Sequence, residues 1–183
     1  MADVSVRGGR AGDGGALGVV QAAAWRAAYE GVLPEAALEP FDPEVLAAGW
    51  GHAIEHPPTE RHAVLVACAG PEPVGFAAVV PAQDPDLVES DVELSILVVS
   101  PAEQRHGHGS RLLAAAVEHA REAGAGTVVM WVLEPDRPLR EFLESAGWAA
   151  DGARRELELD ERGEQRVRQF RLHTDTGAGA PDA

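Results

Sequence analysis

This 183-residue chain contains no lysine, and all 15 of its basic residues are arginine. Its aspartates and glutamates number 30. The absence of lysine excludes a lysine Schiff base and the nucleotide-binding loop G-x-x-x-x-G-K-[ST]. The chain also has no G-x-S-x-G turn and no C-x-x-C pair, so the hydrolase and redox sites built on those motifs are excluded. A formal net charge of −15 argues against nucleic acid or an anionic membrane as a partner. Any phosphate site must therefore be local.

Cysteine is nearly absent as well, since Cys68 is the only one in the chain. A lone cysteine within an apolar run excludes a disulfide framework and a cysteine metal cage, and it predicts a small core residue. No apolar run approaches the roughly 18 residues that cross a bilayer, and residues 1–10 lack the features of a signal peptide. We therefore expect a cytoplasmic protein with one domain over residues 1–173 and a disordered tail over residues 174–183.

The hydrophobic pattern predicts an α/β (α+β) fold, in which a mixed sheet packs against helices. A short edge strand at Val4 and Val6 comes first. Helical segments are expected at residues 15–30, 34–38, 43–56 and 107–123, and from the cap Asp136 to Gly147. Strands are expected at residues 62–69, 73–80, 91–99 and 127–133, from residue 148 onward, and in a terminal hairpin of residues 156–160 and 164–172.

One segment has the geometry of an anion site, because a buried strand runs through a glycine loop into a helix. The loop and the helix start have the sequence SPAEQRHGHGSRLL, residues 100–113. Glycines let backbone amides close around a phosphate, and the helix start adds about half a unit of positive charge. Arg105 and Arg111 add local cations. A dinucleotide motif, G-x-G-x-x-G, is excluded because Leu112 occupies the position of the third glycine.

The motif Q-x-x-G-x-G at residues 104–109, after a strand that ends V-x-P at residues 99–101, resembles the acyl-CoA pyrophosphate loop of the GNAT superfamily of N-acyltransferases. The resemblance extends from Val4 to about Leu172. Shorter matches are AWRAAY at 24–29, G-x-LP at 31–34, VGF at 74–76, EL at 93–94, WVLE at 131–134, Phe142, and GW at 147–148. It implies a mostly antiparallel central sheet of about seven strands flanked by helices, with a V-shaped splay between the fourth and fifth strands.

The resemblance also implies that acetyl-CoA enters the splay as a cosubstrate. Backbone groups of Leu97, Val98 and Val99 would pair with the pantetheine arm like an added strand. Asp136 and Phe142 would border the cofactor. The loop residues expected to hold the pyrophosphate are Gln104, Arg105, His106, Gly107, His108, Gly109 and Ser110.

The two loop histidines, His106 and His108, are expected to be solvated, with a phosphate contact from His106 as the less favoured alternative. They are not expected to bind a metal. Residues 52–56 match the zinc-peptidase pattern H-x-x-E-H, but Pro57 and Pro58 end the helix and no segment supplies an obvious third ligand. We therefore expect a surface helix end there.

Glu93 is the candidate general base. An amine with a pKa of about 10.4 is neutral in only about one part in a thousand near pH 7.5, and only the neutral form attacks a thioester. Glu93 lies on the polar alternation of the central strand, four residues before Leu97, and the resemblance implies a base at this position, acting directly or through water. The alternative is an ordinary strand glutamate. Asp91 is the second candidate base.

Two positions depart from the pattern of the family. Asp136 stands where asparagine is common, and Leu143 stands where a tyrosine often protonates the leaving CoA. Asp136 can cap the helix, although its negative charge would be repelled by the phosphates of the cofactor. Leu143 cannot donate a proton. A thiol pKa of about 8.5 makes expulsion as thiolate feasible. Tyr29, at the end of the first helix, is the candidate substitute donor.

Three tryptophans, Trp25, Trp131 and Trp148, are expected in the core. Taken together, the sequence predicts an N-acetyltransferase that moves an acetyl group from acetyl-CoA directly onto an amine of unknown identity, in a small molecule or a protein. The acidic balance mildly favours a cationic acceptor, but a small polyamine, an aminoglycoside, an amino acid or a protein amine would all fit. A non-catalytic acyl-CoA sensor is the alternative, suggested by Leu143 and Asp136, and a metallopeptidase is a distant third. The chain is expected to be a monomer or a homodimer.

Overall fold

The computed structural model describes residues 4–38, 41–159 and 165–178, which form one seven-stranded sheet with helices on both faces. The strands are β1 (Val4–Gly8), β2 (Ala63–Ala69), β3 (Glu72–Pro81), β4 (Val92–Val99), β5 (Thr127–Leu133), β6 (Ala149–Glu158) and β7 (Arg166–Asp175). The helices are α1 (Gly14–Tyr29), α2 (Glu35–Leu38), α3 (Pro43–Glu55), α4 (His108–Glu122) and α5 (Arg137–Ser145). The expected mixed fold and its element order are confirmed.

The last two strands follow the predicted order, and the second extends further than predicted. β6 is one continuous strand over the stretch predicted from residue 148 and the first arm of the predicted hairpin, and the predicted turn at residues 160–163 lies outside the described residues. β7 continues to Asp175, beyond the predicted domain end at residue 173. Thr176 is buried, and its Oγ1 donates a hydrogen bond to the carbonyl oxygen of Ala125 at 2.6 Å. The start of the predicted tail is therefore part of the folded sheet.

The sheet splays between its two central strands. The strand order is β1-β2-β3-β4-β5-β7-β6, and every pair is antiparallel except β4 with β5. β4 and β5 pair at only two positions, Val92 with Val128 and Glu93 with Val129. In the described chain, β4 is paired beyond Glu93 with β3 alone. One edge of β4 therefore faces the V-shaped splay without a neighbouring strand, as the resemblance implied.

A bulge in β4 changes which side chains face which helices. Leu94 pairs with Val79 and Ile96 pairs with Ala78, so Ser95 is the extra residue. A bulge breaks the simple alternation of a strand. As a result Leu94 belongs to the core beneath α4, whereas Ile96 belongs to the core beneath α1.

The two faces of the sheet have different covers. On one face α4 and α5 cover a large core that includes Leu112, Leu143 and Trp148. On the other face α1 and α3 cover β2, β3 and the end of β4, where Cys68 is buried as expected. The second face continues over β5 and β7. We call this continuation, together with Glu93, the open face; its strand residues are Thr127, Val129, Trp131, Gln169, Arg171 and His173.

Close packing of α1 on α3 holds the cover of the second face together. Gly14 and Gly18 lie one turn apart on α1, against Ala47 and Gly51 of α3. A Cβ added at Gly18 would lie 2.3 Å from the carbonyl oxygen of Pro43, so only glycine permits this approach. No helix in the described part of the chain is long and apolar enough to cross a membrane.

Candidate active site

Glu93 occupies the point at which β4 and β5 separate. It is half-buried and shares the open face with its partner Val129. Burial raises the pKa of Glu93 above its ordinary value, the charge of Asp84 raises it further, and the guanidinium of Arg155 opposes both. Because a general base works best with a pKa near the working pH, this shift suits Glu93 to accept a proton.

Asp91 has a structural role, because both of its carboxylate oxygens accept hydrogen bonds from the backbone. Its side chain is buried, Oδ1 accepts a hydrogen bond from the backbone N–H of Thr127 at 3.0 Å, and Oδ2 accepts one from that of Val88 at 3.2 Å. These bonds tie the loop before β4 to the start of β5. The structure therefore argues against Asp91 as the second candidate base.

The glycine loop turns through two left-handed residues. Arg105 has φ of 66° and Gly107 has φ of 87°, and a left-handed conformation is unusual for arginine. Among the described residues, no side chain caps the start of α4. Alternating conformations of this kind turn backbone N–H groups toward one concave side, where they bind anions. The observed left-handed residues are compatible with the predicted anion site, which stays a prediction.

The two loop histidines differ. His106 is exposed as expected, and its Nδ1 lies 3.6 Å from a carboxylate oxygen of Glu103. The expectation for His108 is wrong, since its side chain is 1% exposed and neither ring nitrogen has a hydrogen-bond partner among the described residues. His108 is the first residue of α4, and its spacing of four from Leu112 puts it on the buried stripe of that helix. This spacing is the signal that sequence reasoning missed.

Gly109 and Phe142 bring the start of α4 close to α5. A Cβ at Gly109 would lie 3.5 Å from Cζ of Phe142 and 4.0 Å from Cγ2 of Val99. The side chain of Gln104 reaches back to the same strand end, because its Nε2 donates to the carbonyl oxygen of Val99 at 3.4 Å. The predicted cofactor residues of the loop, of the end of β4 and of α5 are therefore neighbours.

Tyr29 and Asp136 join the two sides of the splay. The hydroxyl of Tyr29, at the end of α1, donates to Oδ2 of Asp136 at 2.5 Å. Oδ1 of Asp136 accepts the backbone N–H of Leu139 at 3.1 Å and so caps α5, as expected. Burial and the neighbouring carboxylate raise the pKa of Tyr29 well above its ordinary value. This tyrosine is therefore a hydrogen-bond donor that does not ionise in the physiological range.

Leu143, at the position where the family often has tyrosine, is fully buried in the core with Leu112, Trp148 and Leu172. Its role is packing. A Leu143→Tyr variant would overpack this core at a cost of about 1–3 kcal/mol, so it is a poor probe of the chemistry.

Trp131 lies on the open face and not in the core as predicted, whereas Trp148 is buried as predicted. The indole Nε1 of Trp131 donates to Oδ2 of Asp84 at 3.3 Å. The guanidinium carbon of Arg155 lies 4.3 Å from the centre of the ring system, and Nε of Arg155 donates to Oε1 of Gln169 at 2.6 Å. Sequence reasoning missed this group, because no local pattern links β5 to β6.

Trp25 is also only half-buried and stacks on Phe41 at the end of α1, with ring centres 4.4 Å apart. His52 and His56 are exposed at the end of α3, as the prolines predicted. No cluster of three or more potential metal ligands occurs within the described ranges.

Arg171 anchors the loop between β3 and β4 to the open face. Its guanidinium is buried, donates two hydrogen bonds to Asp86 and one of 2.6 Å to Asp151, and lies 3.6 Å from Asp84. These carboxylates raise the pKa of Arg171 further. A hollow of about 570 Å³ adjoins the cluster and is lined by Val129, His173 and Asp175 among others. The hollow therefore adjoins the paired ends of β4 and β5 and reaches Val129, the partner of Glu93.

Solved structures with the same architecture include complexes with coenzyme A or acetyl-CoA. PaiA N-acetyltransferase from Thermoplasma acidophilum, in complex with coenzyme A, is 17% identical, with a TM-score of 0.71 over 94% of this chain and 99% of that one. YncA from Salmonella typhimurium, with acetyl-CoA, is 20% identical, with a TM-score of 0.70 over 100% and 99%. The ribosomal-protein-alanine N-acetyltransferase from Brucella melitensis is 18% identical, with a TM-score of 0.69 over 93% and 99%. At these identities the likeness shows a shared fold.

No curated protein sequence matches the chain significantly. A family model does match, and it spans residues 23–148, from α1 through the glycine loop to the end of α5. The sensor alternative gains no support from these comparisons. On this match the chain belongs to the GNAT family of acetyltransferases.

Proposed function

We propose that the protein is an N-acetyltransferase that moves an acetyl group from acetyl-CoA directly onto an amine, with Glu93 as the general base. The observation that carries the proposal is a carboxylate of raised pKa at the point where the two central strands separate. Family membership and the coenzyme A complexes of structural neighbours support it. The alternative base, Asp91, has both carboxylate oxygens bound to backbone amides.

The proposed binding site for acetyl-CoA follows the splay. At Leu97, Val98 and Val99, the edge of β4 that faces the splay pairs with no strand in the described chain. The amide groups of a pantetheine arm could therefore form hydrogen bonds with this edge as an added strand would. Loop residues 104–110 and the start of α4 would hold the pyrophosphate, with Arg105 as a local cation. Asp136 and Phe142 would border the cofactor from α5.

One residue of the chain would accept a proton, and a second would stabilise the leaving group through a hydrogen bond. Acetyl-CoA supplies an activated acetyl thioester. As the amine nitrogen bonds to the thioester carbon and the carbon–sulfur bond breaks, Glu93 accepts the proton from the nitrogen. Tyr29 is the proposed hydrogen-bond donor to the leaving thiolate, in exchange for its bond to Asp136. Because the thiolate has a pKa of only about 8.5, final protonation by water is also feasible.

Release of coenzyme A thiol tests the proposal directly. The protein would be incubated with acetyl-CoA and a library of amines, amino acids and polyamines, and the thiol would be followed with a chromogenic disulfide. The background from the protein is low, because Cys68, the only cysteine, is buried. We expect amine-dependent thiol release. Acetyl-CoA binding measured by calorimetry without thiol release for any amine, over long incubations, would contradict the proposed activity.

A further inference from the structure

Arg155 is a cation beside the proposed reaction centre, and the side chains that contact its guanidinium are neutral. The side chain is exposed on β6, stacks on Trp131 and donates a hydrogen bond to Gln169. Within the described ranges, no carboxylate lies within ion-pair distance of Arg155. It is nevertheless close enough to Glu93 to influence that carboxylate.

The second arginine of the open face is different. Arg171 is surrounded by Asp84, Asp86 and Asp151, which use its hydrogen-bonding capacity and neutralise its charge. The same contacts occupy much of the acidic lining of the neighbouring hollow. An amine with a second cationic group would therefore find Asp86 and Asp151 already paired, whereas an anionic group would find Arg155 available.

We infer that Arg155 binds a carboxylate of the acceptor, which is then an amino acid or another small amine with an acid group close to its nitrogen. The inference rests on the proposed function. A guanidinium matches a carboxylate through two parallel N–H donors, and stacking on an aromatic ring limits the orientations of its plane. Asp84 holds Trp131 in turn through the indole N–H. Arg155, stacked on a Trp131 ring that Asp84 orients, thus forms a preorganised anion subsite on the open face.

The spacing fits an amino acid. Trp131 lies two residues, about 7 Å, along β5 from Val129, and Val129 is one strand spacing, about 4.8 Å, from its partner Glu93, so the backbones of Trp131 and Glu93 are at least about 8 Å apart. An amino group and a carboxylate attached to one carbon, with one hydrogen bond at each end, span roughly 8 Å. One small zwitterion can therefore place its nitrogen at Glu93 and its carboxylate beneath Arg155.

The test compares amino acids with their amides, which lack the carboxylate charge. The protein amino acids, the matching amides and spermidine are screened with acetyl-CoA near pH 9, where a larger fraction of each amine is neutral than at pH 7. The amino acid and amide pair acetylated fastest is then carried into variants. Because each variant is compared with wild type on the same acceptor, differences in amine reactivity cancel.

We expect Arg155→Gln to lower kcat/KM for the amino acid by about 10- to 100-fold, mainly through KM, as for loss of a hydrogen-bonded charge. The amide should change by less than about threefold. Arg155→Lys keeps the charge but loses the two parallel N–H donors of the guanidinium. Its kcat/KM for the amino acid should therefore lie between the values for wild type and Arg155→Gln. The matched control is Arg154→Gln, because Arg154 pairs with Phe170 on the other face of the sheet. It should change neither acceptor by more than about twofold.

Two outcomes overturn the inference and leave the proposed function standing. One is an equal loss for amino acid and amide in Arg155→Gln, with thermal unfolding like that of wild type. The other is a wild-type enzyme that acetylates amides or spermidine but no amino acid. If no acceptor at all releases thiol, the proposed function fails, and the inference fails with it.

Discussion

At the scale of single residues, the site depends on how environment divides similar side chains between different roles. Asp91 and Glu93 lie two apart, yet backbone amides occupy the oxygens of Asp91 whereas Glu93 is half-buried with a raised pKa. Desolvation disfavours the ionised form of a carboxylate and so increases its basicity. Of these two carboxylates, we therefore propose Glu93 as the one that takes a proton from an incoming amine.

Replacing Glu93 with glutamine should lower the acetylation rate at neutral pH by about 100-fold or more, while acetyl-CoA affinity changes little. In wild type the rate should fall on acidification, as Glu93 becomes protonated. This fall should occur at a pH above the ordinary carboxylate range, because the pKa of Glu93 is raised. The variant should lack this acidic limb, and its deficit should shrink at high pH, where more amine is neutral. Rate profiles from about pH 5 to 10 and calorimetry measure both effects, with the exposed Glu72→Gln as control. Matching profiles for Glu93→Gln and wild type would exclude Glu93 as the base.

Replacing Tyr29 with phenylalanine should lower kcat by about tenfold. The raised pKa of Tyr29 makes full proton transfer to a thiolate of pKa about 8.5 unfavourable, so the loss should be smaller than the 10²- to 10⁴-fold typical of an essential acid. The variant also leaves Oδ2 of Asp136 without its donor, which should cost about 1.5–3 kcal/mol of unfolding free energy. Steady-state kinetics and denaturant unfolding separate the two effects. A kcat within twofold of wild type would leave water as the donor.

At the scale of elements, glycine positions have unequal importance. Gly107 permits the left-handed turn into α4, and Gly18 permits the contact between α1 and α3. Gly15 lies in the same helix as Gly18, but a Cβ there would meet nothing within 4 Å. Composition alone cannot distinguish these glycines, because the difference depends on what lies opposite each one.

The α1–α3 contact can be tested with this matched pair. A Cβ at Gly18 would lie 2.3 Å from the carbonyl oxygen of Pro43 and 2.7 Å from the nitrogen of Ala47, so Gly18→Ala must push the helices apart. We expect a loss of about 1–3 kcal/mol and a Tm lower by several degrees. Gly15→Ala should be neutral or stabilising by up to about 1 kcal/mol, because alanine favours helix. Equal Tm values for the two variants would show that α1 and α3 can separate without cost.

At the scale of the whole molecule, the two parts of the sheet share few strand contacts. β1 to β4 form one part and β5 to β7 the other, with two register pairs between them. The remaining links include α4, which packs on strands of both parts, the bond from Tyr29 to Asp136 and the bonds of Asp91. A ligand that fills the splay would contact both parts, so its binding free energy should add to the stability of the whole fold.

Acetyl-CoA should therefore raise the Tm of the wild-type protein. At a concentration 100 times its Kd, binding adds about 2.7 kcal/mol, or roughly 5–10 °C for a chain of this size. Gly109→Trp should abolish the shift, because its side chain must occupy the loop or displace Phe142. Gly109→Ala should keep most of it, since a Cβ there makes only ordinary contacts. A full shift in a folded Gly109→Trp protein would contradict the assignment of the loop to the pyrophosphate.

The sequence by itself determined the order of the elements and the place of the glycine loop. These features follow from local rules: alternation in β4, the spacing of four in α4, and proline and glycine at element ends. Glu93 could be chosen because strand alternation put it on the polar face of β4 and because the resemblance to the family implied a base at this position. The spacing from His108 to Leu112 also held the information that His108 is buried, although the glycines around it suggested a solvated loop.

Only the tertiary structure decided which face of each strand is covered and which distant side chains meet. Trp131 was expected in the core because its strand is apolar, yet the helices cover the opposite side of β5. Tyr29 and Asp136 are 107 residues apart, and Arg155 reaches Trp131 from a strand that is not the neighbour of β5 in the sheet. The alternation of apolar and polar residues in a sequence shows which side chains share a face of a strand, but it does not show which elements pack on that face. The environment of Glu93 therefore depended on the packing of elements distant in the chain.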